Sequence, residues 1–337
     1  MKFKSYHKIK QFRDVVRDLS YKADFKGLDE NENPIYERSE RPTVNFKGTV
    51  KLHGTNAQVS FDGVRLLAGK RSSLLKETEL QSHFGFNQFV QITHKDFIYT
   101  LMSNLHNDYC KKNEQIIIYG EFAGGNIQKG VGISELPKGF YIFDCKVYNE
   151  GLDKSKWIDI STLNINEKDI FNIYDFPTYE INIDFNNPQE FQNKLVEITE
   201  SVEKECPVAK QLGITEGVGE GVVWTGFYED EKYIFKVKGE KHSTSKVKKL
   251  ASVDPELLTS INEFVEYAAT TNRIEQGIKE VNATEKKDMP NLLRWIANDI
   301  ITEEDDVLQT NMLEWKQVAK EVAHKVRIFY FEKLNQF

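Results

Sequence analysis

The chain has 337 residues, 39% apolar and 29% charged, with a formal net charge of −7. That length holds two domains or one large one, and no apolar run approaches the roughly 18 residues needed to span a membrane. The negative balance argues against indiscriminate coating of nucleic acid, yet it leaves room for a local basic groove.

The basic start, Met1 to Lys8, is followed by no apolar stretch, so no secretory signal is expected. Three cysteines, Cys110, Cys145 and Cys206, are widely spaced and form no CxxC. Reduced thiols in a cytoplasmic protein without structural zinc are the expectation.

Along the chain, Ile9, Phe12, Val15, Val16 and Leu19 recur at helical spacing over residues 9–20. A polar turn follows at Asp29 to Pro34. Residues 43–69 read as three consecutive strands: Asn45–Val50 running on to Lys51, then Ala57–Phe61, a turn at Asp62-Gly63, and Val64–Ala68. Residues 86–110 read as one helix and Glu114–Phe122 as a buried strand. A glycine-rich loop spans Gly120–Gly130, and another strand spans Gly139–Val147. Pro188–Leu212 looks helical, and two strands, Glu220–Thr225 and Tyr233–Lys238, flank a charged turn. Beyond Ser252 helical stripes dominate. They are Leu257, Leu258, Ile261, Phe264 and Val265; Leu292, Leu293, Ile296 and Ile300; and Val318, Val322, Val326 and Phe329. The reading is an α+β chain with two parts, residues 1–250 carrying antiparallel sheets and residues 251–337 all helical.

One stretch organises the rest, Val50-Lys51-Leu52-His53-Gly54-Thr55-Asn56. Period-two alternation places Lys47, Thr49, Lys51 and His53 on one strand face. Gly54 permits a tight turn or a close backbone approach. Further along lie Arg71 at a strand end, Glu121 ahead of the glycine-rich loop, the aromatic–acid pair Phe143-Asp144, and Glu220-Gly221. Lys236 and Lys238 share one strand face, with Phe235 and Val237 on the other. Each piece alone has a plainer reading: a turn, a core ring, or a solvated edge lysine. Together they suit nucleotidyl transfer. A lysine amine attacks the α-phosphorus, cations and a metal stabilise charge, carboxylates hold metal and ribose, and a ring stacks the base. A free lysine is neutral in on the order of one molecule in a thousand near pH 7, so neighbouring cations must favour the neutral amine. The glycine-rich loop is not a P-loop, and HExxH and GxSxG are absent.

At these residues the chain resembles the covalent nucleotidyltransferases, most closely the phage-type RNA ligase 2 family. Lys51 to Asn56 resembles the family's nucleophile motif KxHGTN, and Lys70-Arg71 its KR element. Gly120–Val131 resembles a family signature, and Phe140–Asp144 its adenine-stacking strand. Glu220–Val223 resembles its metal motif, and Phe235–Lys238 its terminal lysine motif. The resemblance spans about residues 45–240. It implies an antiparallel-sheet adenylyltransferase domain followed by a small helical domain that engages RNA. It also implies ATP and Mg2+ or Mn2+ as requirements, RNA with nicked or other joinable ends as partner, and a monomer.

By the same resemblance Lys51 takes AMP from ATP, AMP passes to an RNA 5′-phosphate, and a 3′-hydroxyl displaces it. Glu121 would contact ribose, Phe143 would stack adenine, and Glu220 would bind metal. Lys236 and Lys238 would grip the α-phosphate. Arg71 and Asn56 would serve the phosphodiester steps, and His53 and Arg71 would join the nucleotide contacts. Two positions depart from the pattern: Thr225 stands where EGxVLK has lysine, and Val50 precedes the nucleophile. Arg273, at a helix entry, is a candidate counterpart of a functional arginine. The alternatives are an ATP-dependent DNA ligase or a capping-type guanylyltransferase, whose motif reads KxDG where His53 stands here, and a non-catalytic RNA-binding relative.

Overall fold

The computed structural model describes residues 1–30, 32–239, 261–310 and 313–334. They divide into two compact units. One comprises Met1–Lys10, Asn45–Ile181 and Ser201–Lys236; the other falls within Gln11–Val44, Asn182–Glu200 and Val237–Phe337. The expected boundary at 250/251, most of the basic window 236–249, and Leu257 and Leu258 lie outside the described residues.

The first unit holds one sheet whole and most of a second. Strands β4 (Thr55–Phe61), β5 (Leu66–Lys70), β6 (Ser73–Leu74), β7 (Glu114–Ala123), β8 (Gly139–Asn149), β9 (Lys154–Ile158) and β10 (Ile170–Asn172) form one. Its order is β10-β8-β7-β4-β5-β6, with β9 also on β8. All the pairs are antiparallel except β10 with β8. The β4–β5 turn is held by Asp62, whose Oδ1 accepts from the backbone N–H of Val64 and of Arg65. On one face Val59, Phe61, Ile116, Ile118 and Phe122 bury with Ile98, Met102 and Leu105 of helix α3 (Lys95–Tyr109). On the other face Ile117 and Tyr119 join Tyr6, Tyr148 and Ile234. That alternation is what period two requires of a strand covered on both sides.

A bulge interrupts β8. Tyr119 of β7 faces Asp144, but the next residue, Gly120, faces Ile142, so Phe143 has no partner in the ladder. The side-chain parity of β8 switches there. Phe140 and Ile142 join the α3-side core, as do Cys145 and Val147 beyond the bulge. Phe143 and Asp144 both turn to the opposite side, toward Tyr6. Bulges re-aim side chains in this way.

The second sheet runs β11-β3-β12-β13, with β3 Thr43–Lys51, β11 Tyr179–Asp184, β12 Gly221–Tyr228 and β13 Glu231–Lys238. Phe46 and Gly48 of β3 pack with Trp224 and Phe235 on one face. Lys47, Thr49 and Lys51 leave the other. Glu229 and Asp230, both at positive φ, make the tight turn from β12 to β13.

Two expected helices are broken. Residues 86–110 divide into α2 (Phe86–Gln88), a π turn at Phe89–Thr93, and α3. The π turn closes with His94 N–H donating to the Phe89 carbonyl, and the two rings lie 4.2 Å apart. Pro188–Leu212 divides into a 3-10 turn, α4 (Gln192–Lys204) and α5 (Pro207–Gln211), because Pro207 lacks the N–H that a continuous helix needs and suits a helix start.

The second unit holds α1 (Phe12–Asp24), a hairpin of β1 (Phe25–Leu28) with β2 (Pro34–Tyr36), and helices α6 (Ile261–Ala268), α7 (Thr271–Glu280), α8 (Met289–Glu303), α9 (Asp305–Thr310) and α10 (Trp315–Leu334). Leu292, Ile296 and Ile300, with Val318, Val322 and Val326, form its core, as their spacing predicts. Arg273 is fully buried, donating to Asp299, to Glu304 and to the Ala268 carbonyl. Glu304 also accepts from Arg13 of α1 and from Tyr267. In this structure Arg273 ties helices together and presents no surface to solvent. No helix among the described residues is long and apolar enough to cross a membrane.

Candidate active site

Lys51 is the last residue of β3, paired with Gly221 at the start of β12. Glu220, the residue before that strand, is therefore carried to Lys51 by the sheet register. Its Oε2 accepts from Lys51 Nζ at 2.7 Å and lies 3.2 Å from His53 Nδ1. The Glu220 side chain is almost wholly buried, whereas those of Lys51 and His53 each stay about one-fifth exposed. A buried carboxylate thus anchors two groups that reach solvent. His53 arrives from the loop after β3 and not by strand alternation, since the strand has ended.

Gly54 explains how the loop closes. A Cβ there would lie 2.5 Å from the Phe122 carbonyl and 2.7 Å from Ala123 Cβ. With no side chain the loop lies against the end of β7, and Gly54 N–H donates to Glu121 Oε1 at 3.0 Å. Burial pushes the Glu121 carboxyl up to about 7; Lys51 opposes the shift and Glu220 adds to it. Gly124, at φ +90, continues the chain where a Cβ would overlap the Pro137 carbonyl.

Asn56 faces Glu121 across the β4–β7 pair, and its Oδ1 is buried without a hydrogen-bond partner. His83 Nε2 contacts the Asn56 carbonyl at 3.0 Å. Arg71 lies exposed in the turn after β5, near enough for its charge to hold Glu121 down against burial. Phe143, half-buried in the bulge, meets Tyr6 edge-on with centroids 5.1 Å apart. Lys236 and Lys238 leave β13 on the face of Lys232 and Ile234, opposite Phe235 and Val237, as their spacing predicts.

The structure therefore gathers one set of groups, Lys51 and His53 bonded to Glu220 and Gly54 bonded to Glu121, with Asn56 and Arg71 beside it. Phe143 belongs to the neighbouring aromatic cluster. Sequence reading named Asp144 beside Phe143 but missed the partners that hold it there. Asp144 accepts from Tyr6 and pairs with Lys232; Tyr6 and Asp144 are buried, and so is the Lys232 side chain. Lys146 and Lys232 place their ammonium groups 3.9 and 4.1 Å from the centre of the Trp157 ring. Burial lowers Lys146 to about 8. The signal for Lys232 was present, since it precedes Lys236 by four residues on the same strand face.

Among the described residues no group of three or more His, Cys, Asp or Glu can hold a metal alone. A magnesium-type ion needs no such group, because it takes one or two carboxylates and completes its shell from phosphate and water. Glu220, with Glu121 close by, fits that role.

No curated protein matches the chain. Solved structures of Naegleria gruberi RNA ligase are similar. Two lysine-to-alanine variants with ATP and manganese align at 14% and 15% identity with TM-scores of 0.43 and 0.45, over 70% and 72% of this chain. A form with pyrophosphate aligns at 15% with a TM-score of 0.43, over 71% of this chain. The chain spans 56% to 58% of the length of these proteins. The RNA ligase family model matches residues 45–238, the stretch that carries every group of that set, and with more than half of its length matched the chain belongs to the RNA ligase family.

Proposed function

We propose that the protein is an ATP-dependent RNA ligase of the phage-type RNA ligase 2 kind, sealing 3′-hydroxyl and 5′-phosphate ends. The observation that carries this reading is the Lys51–Glu220 contact, set by the β3–β12 register, with Glu121 close enough for both charges to act on it. In the first step Lys51 Nζ, having lost a proton, forms a bond to the α-phosphorus of ATP, and pyrophosphate leaves. In the second an RNA 5′-phosphate oxygen attacks that phosphorus and the lysine amine leaves. In the third the 3′-hydroxyl oxygen, losing its proton, attacks the RNA phosphorus and AMP leaves.

Each residue has a part in this. Glu220 orients the amine and, with Glu121, would hold Mg2+ or Mn2+, which supplies charge stabilisation on the phosphates when bound. Glu121 also contacts ribose, and Phe143 and His53 contribute to nucleotide binding. Lys236 and Lys238 grip the α-phosphate. Arg71 and Asn56, whose buried Oδ1 lacks a partner, serve the RNA steps. We place adenylyl transfer in residues 1–250 and RNA docking in the helices of 251–337, in a monomer working in a reducing cytoplasm.

The test is sealing of a panel of defined nicks, RNA and DNA on either side, with labelled ATP. Sealing of RNA nicks with ATP is expected. Sealing of DNA alone, or labelling by GTP and not ATP, would assign the site to another nucleotidyltransferase.

A further inference from the structure

Lys47 lies four residues before Lys51 on β3, so the two ammonium groups leave the same sheet face. Across the strand pair, Lys51 faces Gly221, Thr49 faces Val223 and Lys47 faces Thr225. Val223 packs in the same apolar cluster as Phe143. At about 3.3 Å per residue the Cα atoms of Lys47 and Lys51 are roughly 13 Å apart, a span comparable with that of a nucleoside monophosphate.

A second line of contacts places Lys47 at the Phe143 end. Its Nζ lies 5.3 Å from the centre of the Tyr174 ring. The Tyr174 phenol is pushed up by burial and then by Asp144 and Asp159, so it sits close to the residue that follows Phe143. An aromatic face answers the charge of an ammonium but takes none of its N–H groups in a conventional hydrogen bond.

We propose that Lys47, opposite Thr225 and over Tyr174, closes the base end of the nucleotide cleft and donates a hydrogen bond to the edge of the adenine. The proposal rests on the reading of Lys51 as the adenylylated residue and Phe143 as the stacking ring. Adenine N1 carries a lone pair and accepts from the ammonium. Guanine presents N1–H at that position and meets it donor against donor. Lys47 is in this account a specificity-determining residue, and it stands across the strand from the threonine that departs from the family pattern. A site built to make such a bond discriminates strongly against a ligand that lacks it.

The test measures AMP transfer to Lys51 in the full-length chain at varied nucleotide concentration, with ATP and with 1-deaza-ATP, in which N1 is replaced by C–H. Lys47→Met keeps an apolar stem over Tyr174 and removes the ammonium. Wild type should need about tenfold more 1-deaza-ATP than ATP for half-maximal labelling. Lys47→Met should need about tenfold more ATP than wild type and show no further penalty with the analogue, with maximal rates within about twofold. Lys47→Arg should retain most of the ATP preference. An unchanged ATP dependence in Lys47→Met, or penalties that multiply in the variant, would overturn this proposal while leaving the Lys51 reading intact. Absence of any adduct in wild type would overturn that reading and this inference with it.

Discussion

One buried carboxylate oxygen of Glu220 takes both the Lys51 amine and the His53 ring. Replacing Glu220 by Gln keeps the shape and removes the charge. Its AMP-transfer rate should fall at least tenfold, read by labelling at saturating ATP, and an unaffected rate would leave the carboxylate without a role in the first step. Glu121 makes a different prediction. Its folded-state carboxyl is raised to about 7 from an ordinary value near 4.5. A raised pKa means that the folded state binds this proton more tightly than the unfolded chain does. Its contribution is fully present below about pH 4.5 and is lost as pH rises through about 7. Urea midpoints of wild type should decline across that window relative to Glu121→Gln, and parallel profiles would contradict the shift. Phe143→Ala should weaken ATP use by about 1–3 kcal/mol of lost stacking, while Phe143→Tyr should be mild. Equal loss from both would make Phe143 a packing residue.

At the scale of elements, the Lys51 strand, the Gly-Glu-Phe strand and the closing hairpin were legible because period-two alternation and turn residues mark them. Helical stripes such as Leu292-Ile296-Ile300 were equally plain. The β8 bulge was not. Parity on either side of Phe143 differs, and nothing in a run of apolar residues shows where it changes. The break at Phe89–Thr93 was hidden for a similar reason, since a π turn keeps every residue helical in character while shifting the face. The Asp144–Lys232 pair was also invisible, because it joins two strands distant in sequence. That pair bridges β8 and β13, and both side chains are buried. Lys232→Met takes the ion-pair partner from a buried carboxyl that keeps only its Tyr6 hydrogen bond, and should cost about 3–5 kcal/mol. Adding Asp144→Leu should recover part of it. A double variant as unstable as the sum of the single ones would mean the two groups do not interact.

For the whole molecule, the spacing of motifs pointed to side chains that the fold brings together but could not show which segments pack together. Residues 11–44 precede Lys51 in sequence yet belong to the compact unit of the helices, where Arg13 donates to Tyr267 and Glu304. A fragment 1–250 retains every group proposed for AMP transfer and strips Arg13 of those partners. It should therefore label Lys51 at lowered thermal stability and fail to seal nicked RNA, since holding two ends in line is worth several kcal/mol in a two-substrate step. Sealing by the fragment at the full-length rate would remove any need for the helices.

The central claim is that Lys51 carries the AMP. Intact-mass analysis after incubation with ATP and magnesium, followed by peptide mapping, tests it most directly. One adenylate bonded to Lys51 in wild type, and none in Lys51→Ala, is the predicted result. An adduct of the same yield in Lys51→Ala would contradict the account.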